Sequence, residues 1–516
     1  MNSPVEMATL MGSLSLATDL ADGFPLEKTL RTTVIAMRLA DALGAGDADR
    51  VTTFWGTLLR FVGCTAFSFE EKEFAAGDDR QLRNTLAYVD FGRLSSFVGR
   101  AVRGIGKHAP LGERARALGR LLTNPEAPRE HAEAQCDAGR FVARALGMPA
   151  DVERILALRE ERFDGRGPKK RASGDDLPLA SRIADVADTA ELFLWMHGLG
   201  AAEEELRRRR GSHFDPRVVD AFLRDAVDVV RGVRGASAWD AFVASEPAPR
   251  RLLSTDADVT QCLRAFSAFS DVASVYTLDH STRVAERARD AARAAGLSAS
   301  DVTLVEQAGY VHDLGRVAVP IGVWEKTSPL SPLDRERIRQ HSVATETILR
   351  LAEPLAPVAD LASLTHEREG GTGYHRRVRD ADLSRSAKVL AAADVAVALD
   401  SERPQRPRLA PAERTRALRS AGLDARAVEA VLAAIGGRAP KRRGPMGLTE
   451  REIEVARLVA IGRTNKDIGA LLGVSARTAQ KHVMNIYDKA GVESRAGLAL
   501  FAVEHGLLDP TSGGRD

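Results

Sequence analysis

Cysteine is scarce in this chain. Only Cys64, Cys136 and Cys262 occur in 516 residues, odd in number and far apart. That pattern excludes a disulfide framework and any thiolate-based metal site, and leaves the three as reduced core residues. Aromatic side chains make up 5% of the chain, so its cores must be built from Leu, Ala and Val. Residues 1–20 have no basic start and are broken by Ser and Asp, so neither a secretory signal nor a membrane span is expected, and the expected location is cytoplasmic. Apolar–polar alternation never persists, which argues against half-buried strands. A strong charge of one sign is absent as well, the net value being +2. From residue 441 onward there are 12 Lys+Arg against 9 Asp+Glu, so a polyanion-binding function would sit at the C-terminal end.

What the chain does have is helical spacing nearly throughout, as in Val284, Ala288, Ala291, Ala292 and Ala295. An all-α protein is expected, long enough for two to four domains at roughly 100–200 residues each. Pro, Gly and charge punctuation places one break at 246–251 and a stronger one at 436–447, while 401–411 reads as a loop inside a helical segment. An internal repeat links the two large segments. Glu161-Arg162-Phe163-Asp164-Gly165-Arg166-Gly167 aligns with Glu367-Arg368-Glu369-Gly370-Gly371-Thr372-Gly373 at an offset of 206, and the same offset puts Asp188 on Asp394. Upstream, Gly63-Cys64 falls on His312-Asp313 at an offset of 249. The expected domains are 1–245, 252–436, a linker at 437–446, and 447–516.

In the second copy His280, His312-Asp313, His341, His366 and Asp394 follow one another at intervals of 32, 29, 25 and 28 residues. Each interval equals one helix plus a turn, so successive helices of a bundle can deliver ligands to one centre. Four imidazoles and two carboxylates without thiolate suit Fe, Mn, Zn or Ni, and suffice for two ions sharing a carboxylate. Such a pair favours phosphodiester chemistry.

Together with His366-Glu367-Arg368-Glu369-Gly370-Gly371-Thr372-Gly373-Tyr374 and His312-Asp313-Leu314-Gly315-Arg316, these residues resemble the HD superfamily of metal-dependent phosphohydrolases, and within it the HD-GYP branch that hydrolyses cyclic di-GMP. The resemblance implies that His280, His312, Asp313 and Asp394 hold one ion, that Asp313 bridges, and that His341 and His366 hold the second. It also implies a nucleotide or cyclic dinucleotide as substrate or ligand. The chain departs from the branch at Thr365, Gly370, His375 and Arg316. Arg316 keeps a guanidinium able to fork onto a phosphate, so Asp313 and Arg316 are the expected catalytic pair. The alternative is a non-catalytic, nucleotide-sensing regulator with degenerate HD domains.

The first copy keeps only His131 and Asp188 of that set. Arg31 falls near the place of His280, Gly63-Cys64 replace His-Asp, and Arg159-Glu160 take the paired-His place. With fewer than three ligands it should be metal-free. Glu203, Glu204 and Glu205 precede Arg207–Arg210 at helical spacing, which marks a solvated face rather than a phosphate patch.

Beyond the second break, Thr449 with Glu452 forms a capping box. Thr464 caps a helix expected to turn Ile468, Leu471 and Leu472 inward, Gly473-Val474 makes a turn, and Ser475 caps a third helix. A short helix, a tight turn and a capped helix with polar outward residues make a helix-turn-helix. The segment resembles the LuxR-type DNA-binding domain, which implies Lys466 and Thr478 on phosphates and Gln480, Lys481 and Met484 toward bases. It further implies a dimerising fourth helix, and so a homodimer with DNA as a partner.

Overall fold

The computed structural model describes residues 4–75, 78–89, 105, 110–123, 126–235, 237–379, 382–435 and 445–508. The expected linker at 437–446, save its last two residues, lies outside these, as do His108 and residues 509–516. The described residues are overwhelmingly helical, and no described helix is long and apolar enough to cross a membrane. Contacts divide the chain into Met1–Cys64 with Glu70–Thr255, and Thr65–Phe69 with Asp256–Asp516. The division falls just beyond the break at 246–251, because β1 (Val5–Glu6) pairs antiparallel with β2 (Leu252–Leu253) and ties that segment to the first unit.

The first unit contains α1 (Met7–Ala21), α2 (Lys28–Ala42), α3 (Asp47–Leu58), α4 (Ala127–Ala145) and α5 (Leu179–His197). Helix α2 packs between α3 and α5 and is buried nearly all round. It tolerates threonines there because Thr32 and Thr33 return their hydroxyls to the carbonyls of Lys28 and Thr29, so these hydroxyls are not left unmet.

The second unit contains α6 (Asp256–Asp271), α7 (His280–Ala294), α8 (Ala299–Val311), α9 (Pro332–Arg350), α10 (Ala356–Ala362), α11 (Arg385–Leu399), α12 (Pro411–Arg419) and α13 (Ala425–Ile435). Helix α7 is packed by α8, α11 and α13 through a stripe of small residues, Ala285, Ala288, Ala291 and Ala292. Starts are set by side-chain caps: Ser298 for α8, Ser331 in a capping box with Asp334 for α9, and Ser384 for α11. Each cap is worth about 1 kcal/mol.

The same unit continues into α14 (Glu450–Ala460), α15 (Asn465–Leu472), α16 (Ala476–Ala490) and α17 (Arg495–Glu504). Their shared core holds Val455, Ala456, Val459, Ile468, Ala479, Val483, Ile486, Leu498 and Phe501. Leu471, expected inward, is 61% exposed. Gly469 faces in instead, pressed against the backbone of Val474 and Ala476, and this rotates Leu471 off the core face.

Candidate metal centre and DNA-reading helix

The second unit brings all six expected ligands to one place. His280 is the first residue of α7, His312 ends α8 with Asp313 next to it, His341 lies within α9, His366 follows α10, and Asp394 lies within α11. Gly315 makes the convergence possible, because a Cβ there would stand 2.1 Å from the His341 carbonyl oxygen. Thr345 of α9 locks the approach: its hydroxyl accepts from the Gly315 amide at 2.9 Å and donates to the His312 carbonyl at 3.1 Å.

Two triads result, His280 with His312 and Asp394, and Asp313 with His341 and His366. Asp313 stands between them. Its Oδ1 is 3.2 Å from His341 Nε2, 3.5 Å from His366 Nε2 and 3.7 Å from His312 Nε2, while Oδ2 is 3.7 Å from His280 Nε2. Asp394 Oδ1 lies 3.3 Å from His280 Nε2 and 3.7 Å from His312 Nε2. Yet His312 Nε2, His341 Nε2, His366 Nε2 and Asp313 Oδ1 are buried and without hydrogen-bond geometry to any partner. Buried polar atoms are normally paired, so a set of converging orphans fits a cation. The outer nitrogens support this: His312 Nδ1 and His341 Nδ1 face the carbonyls of Gly309 and Ile338, which leaves Nε2 directed inward.

The electrostatics suit metal ligation. Burial alone would raise Asp313, but His312 and Arg316, with His341 and His366, hold it well below the usual carboxylate range. Asp394 is held down likewise by His280 and His312 against its burial. Burial pushes His280 down to about 4 and also lowers His341, keeping them neutral. His312 is the exception: against burial, Asp313 and Asp394 hold it up at about 9, so a proton sits where a metal would displace it.

Beside the ligands lie cations and rings. Arg316 donates to Asp313 Oδ2 at 3.2 Å and stacks on Trp324, its guanidinium carbon 3.8 Å from the ring centroid. Trp324 also stands edge-on to His341, and Tyr374 stacks on His366 with centroids 4.8 Å apart. Two of these neighbours went unassigned from sequence. Trp324 gave no signal beyond being one of four tryptophans. Arg403 sits in the segment 401–411, in a tight turn closed by its two backbone bonds with Arg406. Burial and then the charge of Arg316 push its guanidinium down to about 10, while Asp394 and Asp313 pull the other way. Glu367 holds the following loop by accepting from the amides of Arg376 and Val378, and Gly373 is needed because a Cβ would lie 2.4 Å from that carboxylate.

The first unit repeats these local devices without the ligands. Asp19 accepts from the Thr29 amide and hydroxyl as Asp271 accepts from those of Ser281, and Glu27 and Asp279 both carry positive φ just before α2 and α7. Lys28, not Arg31, therefore occupies the place of His280. Its ammonium bonds Asp188, the counterpart of Asp394, while Arg31 bonds Glu191. Of the Arg207–Arg210 run, Arg207 and Arg208 pair with Glu203 and Glu205 at the surface as expected, but Arg209 is buried.

In the C-terminal helices, both capping boxes form, at Thr449 with Glu452 and at Thr464 with Asp467, and Gly473 at φ 68° makes the turn before Ser475 caps α16. Thr478, Gln480, Lys481 and Met484 are all exposed on α16, and Lys466 is exposed at the start of α15. The five expected DNA contacts thus share an open surface backed by Ala479, Val483 and Ile486.

Residues 270–425 match the family model of the HD domain, and residues 446–502 match that of bacterial regulatory proteins of the luxR family. The chain is accordingly an HD-domain protein with a C-terminal LuxR-type helix-turn-helix. Over 404 residues, 78% of this chain, it is 29% identical to the 3'3'-cGAMP-specific phosphodiesterase 3 of Vibrio cholerae, of which the match covers 87%. It is 30% identical to a cyclic di-GMP phosphodiesterase of Thermotoga maritima over 28% of this chain and 40% of that one. A solved structure titled as a cyclic GMP-AMP specific phosphodiesterase of V. cholerae superposes with TM-score 0.58 at 24% identity, covering 85% of this chain and 99% of the other, a likeness of fold.

Proposed function

We propose that this chain is a DNA-binding transcriptional regulator that hydrolyses a cyclic dinucleotide, 3'3'-cGAMP or cyclic di-GMP, at a two-metal centre in its HD domain. One observation carries this reading: four imidazoles and two carboxylates converge, and the inner nitrogens of His312, His341 and His366 and Oδ1 of Asp313 are buried there without a hydrogen-bond partner. His280, His312 and Asp394 would hold one ion, His341 and His366 the other, with Asp313 shared. Fe, Mn, Zn or Ni fit the donor set. When bound, such a pair supplies an activated water and neutralises charge during in-line displacement at phosphorus. The protein's own groups do the rest. Arg316, braced on Trp324, directs a guanidinium to a phosphate oxygen, Arg403 adds a second cation, and Tyr374 stacks on His366.

Residues 1–245 fit a degenerate, metal-free HD copy, supported by the shared Asp19/Asp271 and Glu27/Asp279 devices and by Glu161, which accepts from the Arg171 amide as Glu367 accepts from that of Arg376. Residues 252–436 are then the working copy, 437–446 the linker and 447–516 the DNA reader, the whole acting as a cytoplasmic homodimer. Lys466 and Thr478 serve phosphates, and Gln480, Lys481 and Met484 serve base edges.

The test is metal analysis of the purified chain together with mass spectrometry of its products from 3'3'-cGAMP and cyclic di-GMP. Two equivalents of metal and linear dinucleotide are expected. A fully loaded protein that leaves both intact, while its DNA affinity still responds to them, would establish the nucleotide-sensing alternative. Thr365 favours that alternative, since it returns its hydroxyl to the Ala362 carbonyl and offers nothing to the centre.

A further inference from the structure

The fourth helix of the DNA reader is covered on both sides. Leu498, Ala499, Phe501 and Ala502 face the reader's own core. At 100° per residue, Leu500 points directly away from that core, yet it is only 2% exposed. In a free four-helix reader this side chain would meet water. The reader also touches the rest of the second unit at the end of α14. A Cβ on Gly462, at the end of α14, would stand 2.9 Å from Val275 Cγ1, and Leu278 packs against the reader's core. Both Val275 and Leu278 belong to the connection between α6 and α7, which ends at the metal-centre residue His280.

That connection is tied to the centre from two directions. On one side the His280 amide donates to the Thr277 carbonyl at 2.8 Å, the Thr277 hydroxyl donates to the Asp271 carbonyl at 2.9 Å, and Asp271 accepts from the Ser281 amide and hydroxyl. On the other side the Ser274 hydroxyl donates to Glu325, the residue after Trp324, on which Arg316 stacks. A ligand-side residue and a phosphate-side residue thus each lie within a few bonded contacts of the surface on which the reader rests. The reading face of α16 stays open, so the dock restrains the reader's orientation and does not mask its DNA contacts.

We infer that the connection 272–279 is a latch that transmits the state of the nucleotide site to the DNA reader by direct contact: a phosphate that draws Arg316 off Trp324 loosens the Glu325–Ser274 support and releases the back of α17. The identity of the ligand rests on the function proposed above, whereas the route rests on the contacts. Coupling of this kind requires the ligand to favour the released state, with the two states differing in the packing of one element.

Hydrogen exchange of the α17 amides in the full chain tests it. Val275→Ser, with Val275→Ala as a milder trim, is expected to raise α17 exchange by about tenfold without any nucleotide and to leave phosphodiester cleavage unchanged. In wild type, Mn2+ with a non-hydrolysable phosphorothioate of 3'3'-cGAMP is expected to give a similar rise, with little further rise in Val275→Ser. Unaltered α17 exchange in both Val275 variants would overturn the dock. An analogue that binds and protects the centre while α17 exchange stays constant would overturn the coupling. Loss of the phosphodiesterase reading shows separately, as absence of cleavage, and does not affect the Val275 comparison.

Discussion

Asp313→Asn tests the centre at its middle. Asparagine keeps the shape and one acceptor oxygen of Asp313 but removes its charge. In wild type that charge lies 3.2 to 3.7 Å from the inner nitrogens of all four imidazoles. Removing one member of a buried charge set costs about 3–5 kcal/mol. At ~1.4 kcal/mol per decade, that is a loss of about 10²–10⁴ in affinity for divalent metal. With Asp313 as the shared ligand proposed above, both ions should weaken together. In the metal-free protein the same substitution removes the first attractive partner that holds His312 up at about 9. Its titration should therefore fall back toward or below the ordinary histidine range. Mn2+ calorimetry gives the first quantity and histidine NMR the second. Two ions bound at wild-type affinity in Asp313→Asn would refute the shared-ligand geometry, and an unmoved His312 would refute the charge assignment.

Arg316→Ala should retain the metals but lose about 10–100-fold in kcat/KM on a cyclic dinucleotide, the worth of one charge-assisted hydrogen bond. Arg316→Lys should recover part of this, since it keeps the charge and loses the fork on Trp324. Equal kinetics in all three proteins would remove Arg316 from the phosphate site. Asp19, buried against Thr29, is pushed up to about 7 by burial, and Thr29 and Lys28 only partly offset this. A carboxyl raised in the fold stabilises at low pH and loses that contribution as pH climbs from its unfolded pKa, near 4, to about 7. Over roughly 3 units this amounts to about 4 kcal/mol. Asp19→Asn should therefore gain Tm relative to wild type across that window and level off above it; a pH-independent difference would sink the assignment. In the reader, Lys466→Ala should weaken binding to every sequence and lower the salt slope by about 1, whereas Gln480→Ala should cost about 1–3 kcal/mol of discrimination at one base pair. Binding isotherms at several salt concentrations on specific and scrambled DNA separate the two.

The convergence of the six His and Asp residues was legible in the sequence because helix-plus-turn spacing is local information, and six residues of the right chemistry kept to it in order. The reader was legible for the same reason, since Thr449, Thr464 and Ser475 each cap the next helix within three residues. Trp324 and Arg403 were not legible, because they reach the site through tertiary packing and a four-residue turn that no periodicity marks. Leu471 misled because a helix of eight residues gives periodicity little to average over, and Gly469 took the inward place through backbone contact. The misplacement of Arg31 has a plain cause. Counting from His312 gives an offset of 249, but the spacing of ten residues from Asp19 to Thr29 recurs from Asp271 to Ser281, and counting from there puts Lys28 on His280. The anchoring carboxylate, not the ligand, was the better ruler.

That correction gives a physical reason for the first unit to be metal-free, as proposed above. Around Asp394 and Asp313, burial lowers His280 and His341, and His312 alone is held up between the two carboxylates, which stay ionised. Around Asp188 the cation is built in, as the Lys28 ammonium, and Arg60 bonds Asp185 nearby. Cys64, in the place of Asp313, is pushed well up by burial and remains an uncharged thiol. Lys28→Met keeps the length of the side chain and removes its charge, leaving Asp188 uncompensated where it is now paired. The first unit should lose about 3–5 kcal/mol, seen as an earlier transition in urea, while the metal content of the full chain stays the same. A variant as stable as wild type would show the pair to be idle. One that took up an additional equivalent of metal would show that Lys28 alone had been excluding it.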